Sequence, residues 1–307
     1  MKELWTSKYR PSTLDGYVFS DDAQKQQIES WINKKSIPHL LLSGSPGIGK
    51  TTLAKILINK LDVNPLDVLE INASRENSVD TVREKITTFV STMPMGEFKV
   101  VLLDEADFIT PNAQGALRSL TETYESVARF IFTCNYPNKI IPALHSRCQG
   151  FHIDKIDSTE FTARAATVLL AEDIEFDLET LEKYVLATYP DLRKCLNQLE
   201  QHSDSGTLII PSRTESSSAD YRLTTVDLLK SGKIIEARNL LCGQVRVDEV
   251  EEFYRWAYDN LELWGETQEH MDQAILIISK YLRNVSFVAD QEINLSACLV
   301  ELTSLKD

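Results

Sequence analysis

The sequence predicts an α/β fold: a parallel sheet covered by helices on both faces, followed by a region that stays helical to the end of the chain. Three observations lead there. Short apolar runs at 40–43, 68–72, 100–103 and 128–133 alternate with helix-like stretches at 24–34, 52–61, 79–92 and 113–121, the rhythm of buried strands joined by crossover helices. Asp104 closes the third run and Pro111 stands near the start of a helical stretch, positions that suit a strand-edge carboxylate and a helix-opening proline. After 152–154 the pattern turns helical, at 160–171, 178–189, 191–201, 225–231, 234–243, 247–260, 267–284 and 291–305, with a polar interruption at 203–220 that contains the strand-like Leu208, Ile209 and Ile210.

With 307 residues the chain has material for more than one core. The expected division is an α/β nucleotide-binding domain at 1–155, a helical domain at 156–224 and a second, all-helical domain at 225–307. In the last, the run Ile275, Leu276, Ile277, Ile278 puts apolar side chains around much of a helix, which fits either a surface for oligomerisation or a central helix.

The first apolar run leads into Gly44, Ser45, Pro46, Gly47, Ile48, Gly49, Lys50 and Thr51, with Thr52 opening the next helical stretch. This is a P-loop in its strand-to-helix context. Its glycines let backbone N–H groups curl around phosphates, Lys50 can reach the β and γ phosphates, and the Thr51 hydroxyl suits magnesium. The third run ends in Asp104, Glu105, Ala106 and Asp107. There Asp104 could hold magnesium and Glu105 could polarise an attacking water; a solvated acidic turn is the plainer alternative. The two motifs together argue for ATP and Mg2+ as ligands and for hydrolysis rather than storage. No guanine-reading Asn-Lys-x-Asp set appears.

A net charge of −14, from 46 acidic and 32 basic side chains, argues against a protein that coats nucleic acid generally, and leaves room for a local phosphate-binding surface. Cys134, Cys148, Cys195, Cys242 and Cys298 form no C-x-x-C pair, so a zinc module is not expected and reduced thiols are. No signal-like core follows Met1 and no apolar stretch reaches membrane-spanning length, so a cytoplasmic location and no membrane partner are expected.

The set Lys8-Tyr9-Arg10-Pro11, the P-loop, Asp104 to Asp107, Ala116-Leu117-Arg118, Thr133-Cys134-Asn135, Ser146-Arg147-Cys148 and Asp191-Leu192-Arg193 resembles the AAA+ ATPase subunits of sliding-clamp loaders, most of all the large, hydrolysing subunit of T4-like bacteriophage loaders. The resemblance implies an AAA+ ATPase domain with a helical lid and a helical collar. It implies a DNA-stimulated ATPase working beside other copies of itself and one different small subunit, in a 4:1 pentamer acting on a sliding clamp and primer-template DNA. A phage origin would place it in the host cytoplasm. By the same resemblance Tyr9, Arg10, Pro11 and Val18 flank the adenine, Asn135 senses the γ phosphate, Arg193 reaches the γ phosphate of its own subunit, and Arg147 is a finger in the neighbour's site. Taken without it, Asn135 could cap a turn, and Arg193 and Arg147 could form local ion pairs. The family's usual Gly before Asp191 is Pro190 here.

The stretch 72–85 begins a helix whose free N–H groups, with Ser78, could receive a phosphate, while Arg83 and Lys85 add charge. The resemblance turns this helix toward DNA; by itself a solvated helix fits equally well. Clamp contacts could come from 120–126 or the Met93-Pro94-Met95 loop, or those residues could merely pack. Another AAA+ DNA-remodelling motor, for branch migration or replication initiation, and a non-hydrolytic scaffold are the competing functions. The joint presence of Lys50, Glu105 and Arg147 argues against the scaffold.

Overall fold

In the computed structural model the four strand-like runs become strands of one sheet, joined by a fifth. The described residues are 3–19, 21–76, 79–203, 205–210, 221–245, 249–265, 267–285 and 287–305. Strands β1 (Leu40–Ser43), β2 (Val68–Asn72), β3 (Lys99–Asp104), β4 (Ala128–Cys134) and β5 (Gln149–His152) lie in the order β2-β3-β4-β1-β5, every pair parallel. Because side chains alternate across a strand, one sequence run feeds two cores. Leu41, Val101, Leu103, Phe130 and Phe132 pack on one face with Ile86, Val90, Ala113 and Leu117. Leu40, Leu42, Val100, Leu102 and Ile131 pack on the other with Ile28, Trp31, Leu53 and Leu57.

The covering helices are α2 (Asp22–Asn33), α3 (Lys50–Lys60), α4 (Val79–Val90), α5 (Pro111–Thr123) and the short α6 (Pro142–His145). Their starts are chemically marked. Asp21 accepts from the N–H of Ala23, and Thr110 caps α5 with Pro111 in its first turn, each satisfying or removing a donor that a helix start leaves unpaired.

The chain divides into two compact units, Tyr9–Asp157 and a helical unit made of Met1–Lys8 with Ser158–Asp307. The helical unit holds α1 (Trp5–Lys8), α7 (Ser158–Ala171), α8 (Leu178–Thr188), α9 (Leu192–Gln201), α10 (Tyr221–Lys230), α11 (Ile234–Gln244), α12 (Val250–Asp259), α13 (Gln268–Asn284) and α14 (Gln291–Thr303). Here the first residues depart from the expected 1–155 domain: Trp5 is buried and its N–H donates to Glu200 of α9 at 3.0 Å. The expected 224/225 boundary falls within α10. That helix packs on α8, and Trp256 of α12 donates to the Leu186 carbonyl of α8 at 2.9 Å. Within the apolar run of α13, Ile278 is buried whereas Leu276 is 71% exposed. Among the described residues no helix is long and apolar enough to cross a membrane.

Candidate functional site

The site lies where the strand order places three C-terminal ends side by side, β1 next to β4 and β4 next to β3, the edge at which parallel sheets bind ligands. From the end of β1 the chain turns through the P-loop into α3. Gly44 has φ +149°, and a Cβ there would come within 2.5 Å of the Ile153 carbonyl oxygen. Gly49, at φ +98°, caps α3 without a side chain, and a Cβ would meet the Tyr17 ring at 3.0 Å. Only glycine takes both conformations and both close approaches. The buried Lys50 ammonium donates to the carbonyls of Gly44 at 2.9 Å and Ser45 at 2.7 Å, holding it inside the loop's curl.

Thr51 follows, and its hydroxyl donates to Asp104 Oδ1 at 2.6 Å; Thr133 of β4 donates to the same oxygen at 2.5 Å. Thr133 Oγ1 in turn accepts the Glu105 N–H at 3.1 Å. Glu105 itself sits at φ 58°, ψ 43°, left-handed backbone that costs a non-glycine residue roughly 1–3 kcal/mol and gathers at working sites. One more carboxylate locks the neighbouring strand end, since Asp107 Oδ2 accepts from the N–H groups of Asn135 at 3.3 Å and Tyr136 at 3.2 Å. Asn135 thus stands beside the acidic turn.

These residues fit a magnesium nucleotide. The glycine-lined loop at a helix N-terminus with a lysine at its centre is anion chemistry. The Thr51 hydroxyl and the Asp104 carboxylate, already within 2.6 Å, are hard oxygen donors of the kind magnesium takes together with phosphate and water. Among the described residues no cluster of three or more His, Cys, Asp or Glu could cage an ion alone.

The remaining expected residues fall in three places. Arg10 donates from Nε to Thr52 Oγ1 at 3.0 Å, which lays the Tyr9-Arg10-Pro11 segment against the first turn of α3, and Val18 is half-buried next to Tyr17. Arg147 lies on the surface between α6 and β5, where its guanidinium donates to Glu122 near the end of α5. Arg193 belongs to the other unit, exposed in the first turn of α9, a helix capped by Asp191 through the Lys194 N–H at 2.9 Å. Arg83 and Lys85 are exposed on α4, and Lys85 pairs with Glu76; Ser78 lies outside the described residues.

Burial pushes the Cys148 thiol up to about 12, so it carries no thiolate at neutral pH beside Arg147. The sequence suggests no histidine–acid constellation, yet folding brings His152 Nδ1 to 3.0 Å from Ser43 Oγ and His152 Nε2 to 3.7 Å from Asp154. Ser43 and His152 are register partners on β1 and β5, and Ser43 is buried, so the contact ties strand ends. Sequence reasoning also assigned nothing to Gln114. Its buried amide donates to the carbonyls of Ile109 at 2.9 Å and Lys139 at 3.0 Å and accepts the Ile141 N–H at 2.7 Å, joining the acidic turn to the segment before Arg147.

A parallel sheet with a P-loop after β1 and a hydroxyl-held Asp104 at the end of β3 defines a P-loop nucleoside triphosphatase. Residues 40–154 match the ATPase family associated with various cellular activities (AAA). The chain is 32% identical to the replication factor C small subunit of Methanococcus vannielii over the whole of both chains, and 34% identical to that of Sulfurisphaera tokodaii over 97% of this chain and 94% of the relative. The small subunit of Archaeoglobus fulgidus is 36% identical over 78% of this chain and 77% of its own. This chain belongs to the replication factor C small-subunit family of AAA ATPases, and it is an ATP-hydrolysing enzyme, whose P-loop domain implies binding of ATP with Mg2+. These relatives are archaeal small subunits; they support the clamp-loader family and do not reach the narrower likeness to a phage large subunit. In fold the chain is similar to the RuvB Holliday junction branch migration motor of Thermotoga maritima, with a TM-score of 0.54 and 17% identity over 80% of each chain.

Proposed function

We propose that this chain is a motor subunit of a DNA sliding-clamp loader, whose ATP-bound assembly holds an open clamp and releases it on primer-template DNA. The observation that carries the reading is the coincidence of full-length similarity to replication factor C small subunits with a P-loop, an Asp104–Glu105 turn and a surface arginine in one α/β unit. Lys50 neutralises the β and γ phosphates. Thr51 and Asp104 would hold magnesium, which when bound would supply charge neutralisation at the phosphates. Glu105 polarises the attacking water, Asn135 reads the γ phosphate from the end of β4, and the family resemblance gives Arg193 a role toward the same phosphate. Tyr9, Arg10, Pro11 and Val18 border the base. Arg147 serves the site of the next subunit, so hydrolysis needs an assembly.

For that assembly we propose copies of this chain with one different small subunit, four to one. Support comes from apolar side chains left uncovered on the helical unit, Leu276 on α13 with Ile293 and Val300 on α14, where a collar domain at 225–307 would pack against its neighbours. Arg83 and Lys85, with Ser78, meet the DNA backbone and make turnover DNA-stimulated. Branch migration rests on likeness of fold alone. The test is native mass of the purified chain with its companion subunit and ATP, followed by clamp retention on primer-template DNA. A multi-subunit species that loads a clamp only with hydrolysable ATP is expected; a monomer under all nucleotide conditions would end the reading.

A further inference from the structure

We infer that Glu122 is a positioning residue for Arg147, bracing the guanidinium so that it meets a neighbour's phosphate already oriented. The inference rests on the reading of Arg147 as a cation acting across a subunit boundary. The main chain around Arg147 is fixed by a run of turn hydrogen bonds, Ser146 N–H to Pro142, Arg147 N–H to Leu144 at 3.1 Å and Cys148 N–H to His145 at 3.2 Å. The Cys148 side chain packs against the sheet core. Beyond Cβ the arginine has no such support. Among the described residues its Nε is buried with no hydrogen-bond partner, and its one recorded side-chain bond runs from Nη2 to Glu122 Oε1.

That carboxylate is itself held. Arg118, one turn earlier on α5, brings Nη2 to 3.8 Å from the same oxygen. Two guanidinium groups on one carboxylate leave the trio with a net positive charge, so the brace does not turn a bare anion toward incoming phosphate. The Arg147 side chain stays 31% exposed, and the Nη N–H groups that Glu122 does not take are the ones left to present outward, the Nε–H being buried. An unbraced arginine must lose rotamer freedom on engaging a phosphate; a braced one has lost part of it beforehand, the advantage of preorganisation. As a mere surface ion pair the contact would add almost nothing to stability, so its loss should show in turnover and not in unfolding.

The experiment measures steady-state ATP hydrolysis by the full chain, in the assembled state verified by native mass, for Glu122→Gln, Glu122→Asp, Arg147→Ala and the Glu122→Gln/Arg147→Ala pair. Glu122→Gln should lower kcat roughly 10-fold while KM, nucleotide affinity and the thermal midpoint stay near wild type, because misorientation affects the transition state alone. Glu122→Asp should recover much of the loss. On the Arg147→Ala background the Gln change should cost nothing more, the mark of two residues acting as one. Wild-type turnover in Glu122→Gln, or a further loss in the pair, removes the role of Glu122 and leaves the finger standing. Wild-type turnover in Arg147→Ala removes the finger and this inference with it.

Discussion

The α/β unit carries its chemistry in two regions built on opposite plans. At the nucleotide crevice, polar groups are buried or half-buried and answered from within: Lys50 by two loop carbonyls, Asp104 by two threonine hydroxyls, the Asn135 N–H by Asp107. At the α5–α6 surface, Arg118, Glu122 and Arg147 are 31–46% exposed and answer mainly one another. Burial makes the first region rigid before ligand arrives, since a disturbed buried polar group has no water to fall back on. The second is held by a solvent-screened pair that can exchange partners cheaply. Groups that cradle a ligand within one chain suit the first plan; under the proposed role of Arg147, a group that meets a neighbour's phosphate from outside suits the second.

Breaking the crevice should have the larger consequence. Lys50→Ala removes a buried cation from the centre of the loop, and productive ATP binding should weaken by roughly 100-fold or more, as expected for a charged contact worth ~3 kcal/mol or more. Glu105→Gln should separate binding from chemistry: nucleotide affinity stays within a few-fold and phosphate release slows severely. Equilibrium binding of a fluorescent ATP analogue beside a phosphate-release assay reads both. A Glu105→Gln chain that turns over like wild type would take the water-polarising role away from that residue.

The exposed region should show the reverse signature. Arg147→Ala should leave ATP bound and cut assembled turnover by about 1000-fold, the low end of what a finger supplies. Assemblies of verified composition, mixing Arg147→Ala with Glu105→Gln chains, should regain part of the activity, because some interfaces pair an intact Glu105 with an intact Arg147. Mixtures as inactive as either parent would mean that the arginine does not act across the boundary or that interfaces cannot fire singly.

What the sequence made legible follows the same division. An apolar run that ends abruptly in Gly44 or Asp104 announces a strand edge carrying chemistry, and the expected strands at 40–43 and 68–72 coincide with β1 and β2. By contrast β5 was illegible: it is an edge strand of four residues in which only Phe151 is buried, leaving no alternation to see. The described part of α10 reaches back to Tyr221 rather than 225; eight of its ten residues are buried, which erases the amphipathic period that would have shown its first turn. Nor could spacing reveal that Trp5, four residues before Tyr9, belongs with α9. Gln114 and Glu122 lie on one helix among ordinary polar residues; only folding shows that one is buried with three backbone partners and the other meets an arginine 25 residues away.

Gln114 sharpens the comparison because it lies between the two regions, bonding Ile109 after the acidic turn and Ile141 before α6. Gln114→Ala strands two carbonyls and an N–H in a buried setting and should cost about 2–3 kcal/mol, read as a shifted denaturation midpoint at unchanged slope. A variant as stable as wild type would show that water or a shift of the α6 segment replaces the amide.

The smallest effect is expected at α4, where exposure is greatest and the expected ligand is a polyanion. Arg83 and Lys85 are both exposed, but Lys85 already pairs with Glu76 while no ion pair of Arg83 is recorded among the described residues. Each backbone phosphate contact contributes about 0.9 to the slope of log affinity against log salt. Arg83→Ala should therefore flatten that slope by about 1 and reduce DNA stimulation a few-fold. Lys85→Ala should do less, because the lysine must first give up its carboxylate; Glu76→Gln, which frees it, should strengthen DNA binding slightly. Hydrolysis without DNA should stay level in all three, since none touches the crevice. Titration of primer-template DNA from 50 to 200 mM salt measures the slopes, and an Arg83→Ala chain with unchanged slope and affinity would mean that α4 faces something other than the DNA backbone.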